Sequence, residues 1–183
     1  MDKAAKRKQG VQARKSLAEA ESKSKIISSR LLESHFYQNA KTIFTYTPFN
    51  GEVDVSYFNQ YAQNDGKVVA YPICGSGGAM VAAVPESEDA WESGKYGIYA
   101  PIRDASRILN PEEIDLVIVP CTVFDPETRM RIGMGAGFYD RYLPKCVNAK
   151  TVAVAFEVQK NDVSAEEWDV PLDAVVTELV WYK

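Results

Sequence analysis

The chain has 183 residues, 46% hydrophobic and 25% charged, with a formal net charge of −4, enough for one globular domain with a real core. No apolar run approaches the ~20 residues of a membrane span, and the charged N-terminus lacks a stretch of signal-peptide type. A cytoplasmic protein is therefore expected. One histidine, His35, and three cysteines, Cys74, Cys121 and Cys146, without metal-ligand spacing exclude a multi-histidine metal site and leave any histidine relay unconvincing. Catalysis would have to run on positioning, cations and carboxylates.

Residues 1–30 carry nine Lys/Arg against three acids, a local charge of +6 that leaves −10 for the rest. A solvated helix is the simplest account of such an arm, and without interleaved aromatics it makes a poor nucleic-acid surface. Residues 3–15 read as a helix with Lys3 and Arg7 one turn apart and Arg14 approaching the same face. Ser16-Leu-Ala-Glu19 has the form of a capping box, so a second helix is expected from there to about residue 38. Thr42–Thr47 is strand-like, Pro48 to Gly51 a turn, and Glu52-Val-Asp-Val is expected to open a third helix through Tyr57 and Tyr61. Strands follow at Lys67–Pro72 and Ala79–Val84, around a turn at Cys74-Gly-Ser-Gly-Gly78. Pro85 to Asn110 is polar and reads as loop.

Asp115-Leu-Val-Ile-Val-Pro120 is an apolar, β-branched run of the kind found in buried parallel strands. Downstream lies Arg131-Ile-Gly-Met-Gly-Ala-Gly-Phe-Tyr-Asp-Arg-Tyr-Leu143, with glycines at every second position from Gly133 to Gly137. Glycines allow close backbone approach, and free N–H groups at a helix start attract anions. This makes a candidate phosphate cradle, although the spacing matches neither common nucleotide fingerprint. A bare turn packing strand on helix is the competing reading; Arg131 and Tyr139-Asp140-Arg141 weigh against it. Strands at Thr151–Glu157 and Ala174–Thr177 complete an α/β pattern. The expected fold is a single domain with a largely parallel sheet and helices on both faces. Ligands in such sheets bind at the carboxyl ends of the strands, where Glu52, Gly97–Pro101 and the glycine loop all fall.

The run R-x-G-x-G-x-G-[FY]-Y-D-R-x-L, preceded by Val119-Pro120, Phe124-Asp125 and Arg131, resembles the signature of the 5-formyltetrahydrofolate cyclo-ligases, also called methenyltetrahydrofolate synthetases. The resemblance covers nearly the whole chain and implies a Rossmann-like three-layer fold similar to that of CoA transferases. It implies an ATP- and Mg²⁺-dependent conversion of 5-formyltetrahydrofolate to the 5,10-methenyl form. Lys3, Arg7, Arg131 and the loop Gly133, Met134, Gly135, Ala136, Gly137, Phe138 and Tyr139 would bind ATP, with Arg131 and Tyr139 also catalytic. Thr47, Glu52 and Met134 to Phe138 would hold the folate, and Asp140 and Asp169 the metal. The short Gly97-Ile98 and Pro101 segment, and Ala155-Phe-Glu157 with Gln159, Leu172 and Asp173, resemble further family elements. Ala100, Arg129, Ala136 and Phe138 depart from the pattern. Ala100 and Phe138 motivate an alternative, a non-catalytic folate- or nucleotide-binding module of the same fold. The expected partners are 5-formyltetrahydrofolate and ATP, with no nucleic acid, no membrane and a monomeric state.

Without the resemblance, each residue has a plainer role. Lys3 and Arg7 are solvent-facing helix charges, Asp140 complements a helix dipole, Asp169 caps a loop, and Glu52 is an early-helix acid. Tyr96 and Tyr99 have the faces to stack a pterin, but core or loop packing is the favoured account of them, as core or rim packing is of Trp168.

Overall fold

The sheet grows from short apolar runs that alternate sides and so feed two cores. In the computed structural model, which describes residues 2–94 and 97–183, β7 (Leu116–Pro120) sends Leu116 and Ile118 to one face and Val117 and Val119 to the other. Strands β1 (Thr42–Phe44), β2 (Val68–Cys74), β10 (Lys150–Val154) and β11 (Ala174–Val176) lie parallel with it. Antiparallel β3 (Met80–Pro85) and β6 (Ser106–Leu109) extend one edge, and β12 (Trp181–Tyr182) the other. Among the described residues the order is β12-β11-β10-β7-β1-β2-β3-β6. Side-chain period two makes each strand serve both faces, so the five central strands are buried twice over, as a parallel sheet requires.

One face is covered by α2 (Ala20–Leu32), α3 (His35–Asn39) and α4 (Ser56–Asn64), whose Ile27, Leu31, Phe36, Phe58 and Ala62 join Ile43 and Ile118 in one core. The opposite face is covered more thinly, by α5 (Phe138–Tyr142) and the turn after it, through Tyr142, Leu143 and Cys146. Helix α1 (Lys3–Lys15) packs on the hairpin of β8 (Val123–Phe124) and β9 (Arg131–Ile132) and on the 157–159 turn. Two further strands, β4 (Trp91–Ser93) and β5 (Tyr99–Pro101), form a separate hairpin.

Several expectations from the sequence are corrected. The Ser16 hydroxyl donates back to the carbonyls of Gln12 and Ala13, closing α1 instead of opening α2. Helix α2 starts after Glu19, which is left-handed at φ +59°. The expected run to residue 38 breaks after Leu32, and Ser34 caps α3 by accepting from the Tyr37 N–H. Glu52-Val-Asp-Val precedes α4, where Asp54 accepts from the Ser56 N–H. The polar tract 85–110 holds the separate β4–β5 hairpin and the edge strand β6, because strands paired in a hairpin or at a sheet edge need little apolar surface.

Candidate functional site

A cavity of about 840 Å³ opens at the carboxyl ends of β7, β1 and β2, where the topology of a parallel sheet leaves space. Thr47, Glu52, Lys3, Arg7, Arg131, Asp140 and Asp169, and every residue from Gly133 to Tyr139, line it. The chain thus brings together residues more than 160 positions apart. Of the other elements singled out in the sequence, Ile98, Ala100 and Trp168 are in the wall. Tyr99 is 54% exposed and stacks on Trp91 at 5.5 Å, away from the cavity lining. Tyr96 lies outside the described residues.

Helix α1 delivers its cations because Lys3, Arg7, Gly10 and Arg14 share one face at spacings of three and four. Lys6, on the neighbouring face, anchors the helix through a 2.5 Å ion pair with Asp162 and a bond to the Asp162 carbonyl. At Gly10 a methyl group would run into the Thr122 carbonyl oxygen, so the helix lies directly on the strand backbone. Gln159 fixes that surface by donating to the carbonyls of Cys121 and Thr122, a supporting role that keeps it out of the cavity. Arg7 donates from Nε to the Gly133 carbonyl at 2.8 Å, leaving its terminal nitrogens beside Gly135.

The two aspartates sit in unlike surroundings. Asp140 accepts from Arg131 at 2.9 Å, and Arg131, delivered by β9, is 6% exposed and also donates to the Val170 carbonyl. Its guanidinium lies 5.9 Å from the Tyr139 ring centre. Asp169 accepts from Lys3 at 2.6 Å and from the Glu166 N–H at 2.8 Å. Glu166 adds a second contact to Lys3 at 2.8 Å. Burial lowers the Lys3 pKa, but bonds to Asp169 and Glu166 outweigh it and hold the ammonium charged. Both aspartates supply hard oxygen donors of the type Mg²⁺ takes. Among the described residues no group of three or more His, Cys, Asp or Glu is placed to hold a metal. That suits Mg²⁺, which usually binds through one or two carboxylates with phosphate oxygens and waters completing its shell.

Glu52 stands on the floor below β1. Its Oε2 accepts from the Phe49 N–H at 3.0 Å, and its Oε1 is 3.7 Å from Nη2 of Arg14. Arg14 is 2% exposed and bonds the carbonyls of Asn50 and Cys121, while Nη2 has no hydrogen-bond partner. Burial pushes the Glu52 carboxyl up to about 7 against the opposing pull of Arg14. The Tyr139 phenol is likewise raised by burial, well beyond neutral pH, so it stays protonated.

The glycine loop departs from the expected helix-start cradle in one respect. Helix α5 is only five residues long, so its dipole is weak and the positive field comes mainly from side chains. Gly135 has φ +97° and Gly137 φ +66°, as a loop hugging a ligand would need. Reading residue types alone missed Arg14 as the partner of Glu52, Glu166 as that of Lys3, and Arg141 as a cavity wall. The Arg14 spacing on the α1 face and the charge of Arg141 beside the glycines were the hints the sequence held.

An α/β fold with a large sheet-end cavity lined by three arginines, a lysine and four carboxylates fits a ligand-processing protein of the nucleotide-using type. The model of the 5-formyltetrahydrofolate cyclo-ligase family matches residues 1–178. A 5-formyltetrahydrofolate cyclo-ligase of Escherichia coli K12 is 33% identical over 150 residues, covering 78% of this chain and 81% of that one. The Mycoplasma pneumoniae enzyme of the same name is 28% identical over 97% of this chain and 99% of its own. Among solved structures, the Aquifex aeolicus 5,10-methenyltetrahydrofolate synthetase superposes with a TM-score of 0.85 at 29% identity, covering 100% of this chain and 93% of that one. A Mycoplasma pneumoniae synthetase gives 0.80 at 27% identity, covering 97% and 99%. The chain belongs to the 5-formyltetrahydrofolate cyclo-ligase family.

Proposed function

We infer that this protein converts 5-formyltetrahydrofolate to 5,10-methenyltetrahydrofolate, with ATP going to ADP and phosphate. A formamide carbon is a poor electrophile because its oxygen leaves badly. Attack of the formyl oxygen on the γ-phosphorus of ATP releases ADP and makes that oxygen part of a phosphate. The N10 amine then attacks the activated carbon, phosphate departs with the oxygen, the N10 proton is lost, and the five-membered ring closes. Such phosphoryl transfer asks a protein for alignment and cations more than for covalent chemistry.

The observation that carries the site assignment is the convergence of Lys3, Arg7 and Arg131 with the glycine loop and Glu52 around one cavity. We propose that Lys3 and Arg7 hold the ATP phosphates, and that Arg131 stabilises the charge on the transferring phosphoryl group. Residues 133–139 provide the wall on which both substrates meet. The protonated Tyr139 phenol supplies a donor near the reacting oxygens. Glu52 and Thr47 hold the pterin, whose N–H groups are matched by a carboxylate acceptor. Asp140 and Asp169 would hold Mg²⁺, which when bound to the triphosphate shields its charge from the attacking oxygen. Residues 1–183 would act as one catalytic domain, monomeric, cytoplasmic, and engaging neither nucleic acid nor membrane. No helix among the described residues is long and apolar enough to cross a membrane.

The test is purified protein with 5-formyltetrahydrofolate, ATP and Mg²⁺, followed by the near-ultraviolet absorbance of the methenyl product. An ATP-dependent rise is expected. Tight folate binding without that rise would favour the binding-module alternative.

A further inference from the structure

Four cations line the described part of the cavity: Lys3, Arg7, Arg131 and Arg141. Lys3 and Arg131 are committed to carboxylates, and Arg7 is fixed by Gly133 beside the loop. Arg141 is in no ion pair among the described residues. It is exposed and bonds only neutral carbonyls, those of Ala136 in the glycine loop and, at 3.4 Å, Gly78 in the turn between β2 and β3.

Its place along the sheet separates it from the other three. Helix α1, with Lys3 and Arg7, packs on the hairpin after β7 and on the 157–159 turn after β10. Glu52 and Thr47 follow β1. Arg141 lies over Gly78, where a methyl group would meet its guanidinium, at the β2–β3 end of the same cavity. In the order β10-β7-β1-β2-β3, neighbouring strands lie about 4.8 Å apart, which puts that turn one to two spacings, roughly 5–10 Å, from β1. Pro72 and Cys74 on β2 and Met80 on β3, at the base of that turn, share the cavity wall with Ile98 and Ala100, a largely apolar group.

A folate has the matching order of chemistry: a polar pterin, an apolar aminobenzoyl ring, and a glutamate with free carboxylates. We propose that Arg141 is a specificity residue that binds the glutamate carboxylate of the folate at the β2–β3 mouth of the cavity. A planar guanidinium suits a carboxylate in bidentate geometry. The carbonyls it now bonds are neutral, and at an exposed position they are readily exchanged for water. The proposal rests on the folate reading of the cavity and extends it to the end of the substrate remote from the reaction.

The experiment compares 5-formyltetrahydrofolate with 5-formyltetrahydropteroate, which lacks the glutamate, on wild type, Arg141→Gln and Arg141→Lys. Both binding without ATP and kcat/KM are measured. Losing one charge-assisted bond should reduce the full-substrate to truncated-substrate ratio about tenfold in Arg141→Gln. Arg141→Lys should retain part of it. Equal losses on both substrates would mean that Arg141 only fastens the glycine loop to the Gly78 turn, and would overturn the proposal. So would an unchanged ratio, or a rise confined to the KM for ATP. Wild type that turns over neither substrate would remove the catalytic reading, and the binding ratio would still decide the role of Arg141.

Discussion

At Gly135 two constraints coincide. Its φ of +97° is hostile to any side chain, and a methyl there would stand 3.2 Å from the Arg7 guanidinium carbon. Gly135→Ala should cost ~1–2 kcal/mol in backbone strain. It should also displace Arg7, and the loss of one bond to a charged group lowers kcat/KM roughly 10- to 100-fold. A packing-only loop would instead show a lower Tm with kcat/KM unchanged for the folded fraction. The aspartates should separate in a different way. Asp140→Asn and Asp169→Asn are both expected to lower turnover, with partial rescue by excess Mg²⁺. Only Asp140 neutralises an arginine whose side chain is 4% exposed, so Asp140→Asn should also lose on the order of 1–3 kcal/mol of stability. Thermal melts showing equal Tm for both variants, or wild-type turnover in both, would count against these roles. Arg129 illustrates how local conformation explains a sequence departure. It sits at φ +58°, a left-handed conformation that favours glycine, and donates to the Leu172 carbonyl at 3.1 Å.

Among the elements, α1 both lines the cavity and packs on the strand backbone, so the proposed site ties substrate binding to its stability. Its cavity face carries Lys3 and Arg7, while Gly10 lies against the Thr122 carbonyl. Lys3→Met and Arg7→Met should each raise the KM for ATP far more than the KM for the formyl substrate. Gly10→Ala tests the same helix from its packing side. The added methyl cannot fit without lifting α1, so a lower Tm and a raised KM for ATP are expected together, although no ligand contact is removed. A Gly10→Ala protein with unchanged ATP kinetics would show that α1 does not position the phosphate-facing cations. The short α5 contrasts with α1: five residues are too few for a strong dipole, which shifts the electrostatic work to the arginines.

For the molecule as a whole, the buried Glu52 predicts a pH signature. Its carboxyl titrates near 7 in the folded protein against an ordinary value of 4.5. Between those values the folded state binds more protons than the unfolded one, so stability falls as pH rises through that window. Glu52→Gln should flatten the Tm profile over this range. Substrate N–H groups favour the ionised carboxylate, so folate binding near pH 6 should release protons, measurable as a buffer-dependent heat of binding. A binding heat independent of buffer and of pH would place the pterin elsewhere.

The sequence alone carried the buried parallel strands, because β-branched apolar runs such as Leu116–Pro120 have few alternatives to a sheet covered on both faces. It also carried α1, the glycine loop and the family, since periodicity and short motifs are local properties. Boundaries that depend on competition were not legible. Ser16 has two sets of backbone groups within reach, and only the packing of α1 decided that it closes that helix. The strands β4, β5 and β6 lie in a polar tract without the apolar alternation that marks a half-buried strand; β4 and β5 pair with each other in a hairpin, and β6 joins the sheet through β3. Tertiary structure alone likewise placed Arg14 beneath Glu52, Glu166 beside Lys3, and Arg141 over Gly78. Charge pairing across such separations has no periodicity, and burial, which sets whether such a pair shifts a pKa, is a property of the assembled chain.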